Sequence, residues 1–150
     1  MLVLCCGNPD RGDDAAGPMV ARRLRKLGID CREHNGEGLS LMEAWQGADE
    51  VVLVDAVITG SPAGTVSVWD ALAAPIASRP LPGSSHALGL AEAVALGRVL
   101  GRLPRRLTLY GIEARRFELG KQPGKAVLRA VAEVARRIHE DSADRRTPVV

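Results

Sequence analysis

The chain has 150 residues, of which 46% are apolar and only 3% aromatic, so we expect one domain with a core of Leu, Val, Ile and Ala. A net charge of +2 is too small to indicate nucleic-acid binding, and no apolar run approaches the roughly 20 residues of a membrane span. The N-terminus lacks the basic leader of a secretory signal, and three cysteines without CxxC spacing indicate buried thiols. We therefore expect a cytoplasmic monomer that binds neither nucleic acid nor membranes.

Strands alternate with helices through the first half of the chain. The chain opens with an apolar run over residues 2–6, and turn residues follow it directly, which is typical of a buried strand. A polar loop with Asp13 and Asp14 then precedes a segment with apolar residues at helical spacing. In chain order we predict a strand over 2–6, a helix ending at Gly28, a strand over 29–34, a loop over 35–38 and a helix over 39–45.

The second half opens on the clearest strand signal in the sequence. The consecutive apolar residues 51–54 predict a strand buried on both faces of a covered sheet, and this strand stops at Asp55. The alternating segment 64–69 follows too closely for a helical crossover, so it can pair antiparallel at a sheet edge. We then predict an irregular loop over 71–83, a helix over 87–100, a strand over 107–112, a helix over 124–139 and a short, frayed polar tail over 141–150.

This alternation predicts a single three-layer α/β domain over residues 1–140, in which helices cover both faces of a mostly parallel sheet. Sheets of this kind bind ligands at the carboxyl ends of their strands. Asp13 and Asp14 follow the first predicted strand, Asp55 ends the most buried one, and His86 precedes the helix of the second half. The topology therefore brings these side chains to one rim.

These four side chains also have simpler explanations. Either Asp13 or Asp14 can cap the following helix, Asp55 can satisfy a neighbouring loop, and His86 can lie on the surface of a first helical turn. Two carboxylates and one imidazole nevertheless form an O,O,N set that suits a divalent ion such as zinc or nickel and leaves positions open for water or substrate. A bound metal polarises a carbonyl and activates water, which is the chemistry of metal-assisted amide hydrolysis.

Other functions use some of the same residues. Ser85, His86 and Asp55 contain the residue types of a serine-hydrolase triad, but adjacent Ser and His rarely reach each other and the sequence has no G-x-S-x-G elbow. The loop 7–12 has the position of a phosphate loop, yet it lacks the glycine motifs, and two acids at a helix start repel phosphate. A cysteine nucleophile and a non-catalytic metal- or peptide-binding module are further alternatives.

Five short motifs occur in one order along residues 1 to about 138. They are Gly7-Asn8 with Asp13-Asp14-Ala15-Ala16-Gly17, then Val54-Asp55-Ala56, Pro62-Ala63-Gly64-Thr65-Val66, Ser85-His86-Ala87-Leu88-Gly89-Leu90 and Leu109-Tyr110-Gly111-Ile112-Glu113. In this order and spacing the chain resembles the hydrogenase maturation protease family.

The resemblance implies a twisted sheet between helices, in a phosphorylase/hydrolase-like fold, and a metal-associated endopeptidase of the aspartic type. Such an enzyme removes the C-terminal extension of a NiFe-hydrogenase large-subunit precursor after nickel insertion, with that nickel as the recognition element. Carried over by position, the catalytic and metal-contacting residues are Asp14, Asp55 and His86, and we interpret Asp13 as a cap or supporting partner. Zinc or another divalent ion, and an autonomous metal-dependent peptidase or amidase, are the alternatives.

The chain departs from the family pattern at three places. Cys5 stands where a glycine is usual, two residues before Gly7. The loop 35–38 reads Asn-Gly-Glu-Gly where the family has Gly-Thr-x-Gly, so a threonine hydroxyl is replaced and Glu37 adds a charge. The segment 121–123, Lys-Gln-Pro, replaces a small polar start to the last helix. These departures concern substrate positioning more than metal contact, so a relative with another peptide substrate remains an alternative.

Overall fold

A computed structural model describes residues 1–73 and 87–146 of the chain. Strands and helices alternate along these residues, as predicted, and a short 3-10 turn, Gly12–Ala15, separates the first strand from the first helix. The elements are β1 (Leu2–Cys6), α1 (Ala16–Lys26), β2 (Arg32–His34), α2 (Gly38–Ala44), β3 (Glu50–Val57), β4 (Val66–Asp70), α3 (Ala87–Leu100), β5 (Arg106–Glu113) and α4 (Lys125–Arg146). No helix in the described ranges is both long and apolar enough to cross a membrane.

The strands form one sheet in the order β2-β1-β3-β5-β4. β2, β1, β3 and β5 run parallel, so their carboxyl ends meet at one edge, called here the carboxyl edge. β4 lies at the end of the sheet and pairs antiparallel with β5. The predicted mostly parallel sheet and its antiparallel edge strand are thus confirmed. β2 is shorter than predicted, since strand pairing begins only at Arg32. Ile29 and Cys31 precede the strand, and their side chains are buried in the core.

Apolar side chains fill the space on both sides of the sheet, which confirms the three-layer arrangement. α1 and α4 cover one face, where Val3 and Val52 meet residues of both helices. α2 and α3 cover the other face, over Leu4 and Leu53. Neighbouring strand residues point to opposite faces, so a continuous apolar run such as 51–54 supplies both layers at once. Each fully buried Val or Leu contributes roughly 1.5–3 kcal/mol through removal of apolar surface from water.

The last helix is longer than the sequence pattern predicts. α4 continues through the segment expected to be a frayed tail and ends at Arg146. The Tyr110 hydroxyl of β5 hydrogen-bonds to the Asp141 carboxylate at 3.2 Å, and Arg145 forms an ion pair with Glu50 of β3. These polar contacts with the sheet stabilise the end of the helix, where apolar residues no longer recur at helical spacing. The spacing of apolar residues therefore could not predict this part of the helix.

Glycine allows α1 to begin directly against the end of β1. A Cβ atom at Gly17 would lie 2.0 Å from the carbonyl oxygen of Cys6, far inside van der Waals contact. This close approach leaves only the loop and the 3-10 turn between strand and helix, so the residues of that turn are held at the carboxyl edge.

We expect Gly17→Ala to lower the free energy of unfolding by about 1–3 kcal/mol, the usual effect of overpacking, although alanine is the better helix former. Gly124→Ala is the matched control, because its Cβ would meet only the Asp13 carboxylate, at 3.9 Å. Urea denaturation measures both variants. If Gly17→Ala is as stable as the unchanged protein, helix and strand do not make this contact.

Candidate active site at the carboxyl edge

Four acidic side chains are buried at the carboxyl edge of the sheet. Asp13 and Asp14 lie in the 3-10 turn after β1, Asp55 lies near the end of β3, and Glu113 ends β5. Their exposed fractions are 2%, 1%, 7% and 2%, respectively. A buried carboxylate is unfavourable unless hydrogen bonds or positive charge compensate for its lost hydration. The way in which each acid is compensated therefore separates the structural acids from the candidate catalytic ones.

The carboxylate of Asp13 is fully engaged by backbone groups of the loop after β5. Its Oδ2 accepts hydrogen bonds from the N–H groups of Arg115 at 2.8 Å and Arg116 at 2.9 Å. Its Oδ1 accepts a hydrogen bond from the N–H of Gly124 at 2.9 Å. Hydrogen bonds to a charged acceptor are among the stronger ones in proteins, so Asp13 holds the 115–124 segment in place.

The predicted helix-cap role of one of the two aspartates is wrong. The residue that precedes α1 is Ala15, and no side chain caps that helix. The 3-10 turn also begins without a side-chain cap, after Arg11. Asp13 instead binds a loop that is distant in sequence, and its role as a supporting partner of the site stays a prediction.

Asp14 is compensated on only one of its two carboxylate oxygens. Its Oδ2 accepts the N–H of Asn8 at 3.1 Å. Its Oδ1 is buried and has no hydrogen-bond partner within the described residues. Orphaned buried polar atoms are rare in folded proteins, and each one calls for a physical explanation. A cation or a proton donor that arrives with a ligand would supply the missing partner.

Asp55 shares its surroundings with Asp14 and Cys6. The pKa of the Cys6 thiol is raised well above its ordinary value, first by burial and then by the negative charges of Asp55 and Asp14. β3 also contacts the 3-10 turn that holds Asp14, and Val54 pairs with Cys5 of β1, so both acids belong to the region around the carboxyl end of β1. Cys6 remains a neutral thiol near neutral pH, which argues against its use as a nucleophile.

The other two cysteines, Cys5 and Cys31, lie in the core layer covered by α1 and α4, whereas Cys6 lies in the layer on the other side of the sheet. A hydrogen bond with Cys5 and the charge of Arg25 lower the pKa of the Cys31 thiol to about 7, against the effect of burial. The hydrogen bond with Cys31, together with burial, raises the pKa of the Cys5 thiol. Cys31 precedes β2, so it is closer to the opposite edge of the sheet, and both thiols are buried. The geometry therefore does not favour a cysteine nucleophile.

The third predicted ligand, His86, lies outside the described residues, as does Ser85 of the alternative triad. Within residues 1–73 and 87–146, no group of three or more His, Cys, Asp and Glu side chains is arranged to hold a metal ion. The structure describes the two acids of the predicted O,O,N set, and both are buried at the carboxyl edge.

Helix α3 begins at the same edge as these acids. A Cβ atom at Gly89, in the first turn of α3, would lie 2.0 Å from the carbonyl oxygen of Gly36 in the loop after β2. The N-terminus of α3 thus packs on a loop of the carboxyl edge. His86 directly precedes the first residue of this helix, Ala87.

The backbone of the loop after β1 does not form a phosphate cradle. The N–H groups of Asn8 and Asp10 donate to the side chains of Asp14 and Asn8. The N–H of Gly12 donates to the carbonyl oxygen of Lys121 at 3.1 Å. A phosphate-binding loop directs its N–H groups at the ligand, whereas this loop directs them at the protein itself, so the phosphate-loop alternative is not supported.

Glu113 is a buried acid to which the sequence pattern assigned no role. Its Oε1 accepts the N–H groups of Thr59 at 2.7 Å and Gly60 at 3.0 Å. Its Oε2 accepts the Thr59 hydroxyl at 2.8 Å. Glu113 therefore holds the loop after β3 as Asp13 holds the loop after β5. The available signal was a charged residue at the end of an otherwise apolar strand.

His34 is a second edge residue that sequence reasoning did not select. Its Nδ1 accepts the N–H of Gly36 at 2.8 Å, and its Nε2 lies 3.3 Å from the Ser40 hydroxyl. In the neutral ring, the proton therefore resides on Nε2. His34 shapes the 35–38 loop, the segment in which the sequence departs from the family pattern.

We predict opposite stability effects for the two adjacent aspartates. Three backbone N–H groups donate to the two carboxylate oxygens of Asp13, whereas the amide of Asp13→Asn has only one acceptor oxygen. This variant should therefore lower the free energy of unfolding by about 2–3 kcal/mol. Asp14→Asn keeps an acceptor for Asn8 and removes a buried charge close to Asp55, so it should be at least as stable as the unchanged protein. Urea denaturation measures both, and equal losses would contradict this assignment.

Comparison with known proteins gives a consistent family signal. The family model HycI, hydrogenase maturation protease, matches residues 36–141. Hydrogenase expression/formation protein HupD of Thiocapsa roseopersicina is 28% identical over 118 residues, which are 75% of this chain and 53% of HupD. Protein FrxA of Pyrococcus furiosus is 27% identical over 127 residues, which are 80% of this chain and 88% of FrxA. The chain thus spans about half the length of HupD and most of FrxA.

Solved structures share the fold over nearly the whole chain. The NiFe-hydrogenase maturation protease HybD from Thermococcus kodakarensis matches with a TM-score of 0.74 and 23% identity, over 93% of this chain and 96% of that one. The hydrogenase maturating endopeptidase HybD from Escherichia coli matches with a TM-score of 0.72 and 23% identity, over 91% and 88%. At this level of identity the similarity establishes the three-layer fold.

Proposed function

The chain belongs to the hydrogenase maturation protease family, and on this basis we propose that it is an endopeptidase that removes the C-terminal extension of a NiFe-hydrogenase large-subunit precursor. The observation that carries this proposal is the orphaned Oδ1 of Asp14, buried at the carboxyl edge. A carboxylate oxygen left without a partner reduces stability, and it is available to a cation that arrives with the substrate.

The nickel that the precursor carries is the cation we propose for this position. Asp14, Asp55 and His86 together offer two carboxylates and one imidazole, a donor set that nickel accepts. The orphaned oxygen of Asp14 and the proximity of Asp55 support the two oxygen ligands. His86 is proposed from its place in the family motif, one residue before α3.

Electrostatics explain why a nickel-loaded precursor would be preferred to a nickel-free one. Asp14 and Asp55 place two negative charges in a buried region, where each repels the other. A divalent cation about 4 Å from one carboxylate gains about 4 kcal/mol for each pair of unit charges at an effective dielectric constant near 20. A precursor without metal would gain no attraction of this kind from the two carboxylates.

Hydrolysis of the scissile peptide bond then needs water and proton transfer. The oxygen of a water molecule adds to the carbonyl carbon, and a site carboxylate accepts the proton that the water loses. The same proton passes to the leaving nitrogen as the C–N bond breaks, which leaves a carboxylic acid on the mature subunit and an amine on the extension. The acid then releases its proton to the amine or to water. The bound nickel can polarise the carbonyl or activate the water. The Asn8 N–H keeps the Asp14 carboxylate in its orientation.

Three single variants, Asp14→Ala, Asp55→Ala and His86→Ala, should each cleave a nickel-loaded precursor at least about 100-fold more slowly than the unchanged protein. This is the usual contribution of a positioned acid or base. Asp30→Ala, which removes an exposed carboxylate, is the matched control. A gel-shift assay of precursor processing measures the rates, and thermal unfolding verifies that each variant folds. Undiminished cleavage by all three variants would exclude this assignment.

A second prediction concerns the metal content of the protein itself. Because the nickel arrives with the substrate, the purified protein should contain well under one equivalent of nickel or zinc by elemental analysis. One tightly held zinc ion per chain would instead indicate an autonomous metallopeptidase. Dialysis against a weak chelator separates tightly bound metal from metal adsorbed on the surface.

A further inference from the structure

A basic cavity lies beside the candidate active site. Its volume is about 600 Å³, and the loop after β5 and the first turn of α4 form its walls. Four basic side chains line it: Arg115, Arg116, Lys121 and Lys125. The cavity also lies at the N-terminal end of the 22-residue helix α4, whose dipole adds to the positive potential.

The four basic side chains lack internal compensation. Within the described residues none of them forms an ion pair. The carboxylate in the cavity wall, Asp13, already accepts three backbone N–H groups. By contrast, Arg25 pairs with Glu33, and Arg136 pairs with Glu133. Unpaired like charges around one cavity repel one another, and an anionic ligand would relieve this repulsion.

The cavity and the candidate active site lie on opposite sides of one short turn. Asp13 forms part of the cavity wall. Asp14 instead accepts a hydrogen bond from the Asn8 N–H, and its charge acts on Cys6 together with that of Asp55. The same turn is fastened to the cavity wall, because the N–H of Asp13 donates to the carbonyl oxygen of Arg116 at 2.6 Å. A peptide bound at Asp14 can therefore reach the cavity within a few residues, since an extended chain advances about 3.3 Å per residue.

We propose that this cavity binds carboxylates of the substrate's C-terminal extension, and that it thereby selects a peptide with an acidic segment just beyond the scissile bond. The inference rests on the proposed function, because a peptide substrate must continue past the cleavage site. Arginine forks bind carboxylates in bidentate fashion. A cavity of this size holds a few residues and matches the range of small-ligand sites. The carboxylates can be side chains or the terminal group.

The test uses a fluorescent nine-residue peptide with four glutamates, and the same peptide with glutamines, each with a free or an amidated C-terminus. Fluorescence anisotropy measures their affinity for the full chain. We expect the glutamate peptide to bind at least tenfold more tightly than the glutamine peptide, with an affinity that falls as salt is added. Equal binding of all four peptides would overturn the proposal. Weaker binding after amidation would assign the terminal carboxylate, and unchanged binding would assign the side chains.

Variants locate the interaction. The double substitution Arg115→Gln and Lys121→Gln should weaken binding of the glutamate peptide at least tenfold, while the backbone N–H groups that Asp13 requires are retained. Arg22→Gln with Lys26→Gln, in a second basic groove between α1 and α4, is the matched control and should bind the peptide normally. Equal losses in both double variants would contradict the proposed location.

Asp14→Asn separates this inference from the proposed function. This variant should bind the glutamate peptide as the unchanged protein does, because Asp14 does not line the cavity. If the peptide fails to bind while precursor cleavage still depends on Asp14, only the cavity proposal fails. If the unchanged protein does not cleave the nickel-loaded precursor, the proposed function fails, whatever the peptide does.

Discussion

The carboxylate of Asp13 connects the two loops on which the rest of the carboxyl edge depends. Its three bonds to the N–H groups of Arg115, Arg116 and Gly124 fix the segment after β5 against the turn after β1. That turn holds Asp14, and the fixed segment forms the wall of the basic cavity. Without Asp13, a loop with several exposed charged residues would have few contacts to define its path. One buried acid therefore positions both the candidate catalytic residue and the neighbouring cationic surface.

The buried acids of this edge divide according to how their charge is compensated. Asp13 and Glu113 each accept hydrogen bonds on both oxygens and shape loops: all the donors to Asp13 are backbone N–H groups, whereas the donors to Glu113 are two backbone N–H groups and the Thr59 hydroxyl. Among residues 1–73 and 87–146, Asp14 finds no partner for one of its oxygens, and the negative charges of Asp14 and Asp55 both act on Cys6. Such an arrangement reduces stability in the free protein and becomes favourable only when a cation approaches. Proteins commonly retain unfavourable groups of this kind where function requires them, and so the least satisfied of these acids is the strongest candidate for substrate contact.

Local patterns in the sequence predicted much of the fold, and contacts between distant segments account for most of what was missed. The apolar run of β3 follows from period and turn signals alone, but the strand continues past the predicted stop at Asp55 and ends at Val57, because it pairs with β5 to that point. The partners of Asp13 lie 102 to 111 residues further along the chain, so the sequence suggested only a local cap. The extension of α4 and the loop contacts of Glu113 likewise depend on neighbouring elements. The cationic cavity was missed because isolated basic residues usually indicate a solvated surface.

The central claim is that the unpaired oxygen of Asp14 meets the metal that the substrate carries. The most direct measurement compares the affinities of nickel-loaded and nickel-free precursor for the unchanged protein and for Asp14→Asn, under conditions in which cleavage is blocked by low temperature. We predict that the unchanged protein prefers the nickel-loaded precursor at least tenfold and that Asp14→Asn loses most of this preference. An undiminished preference in a folded Asp14→Asn variant would contradict the claim.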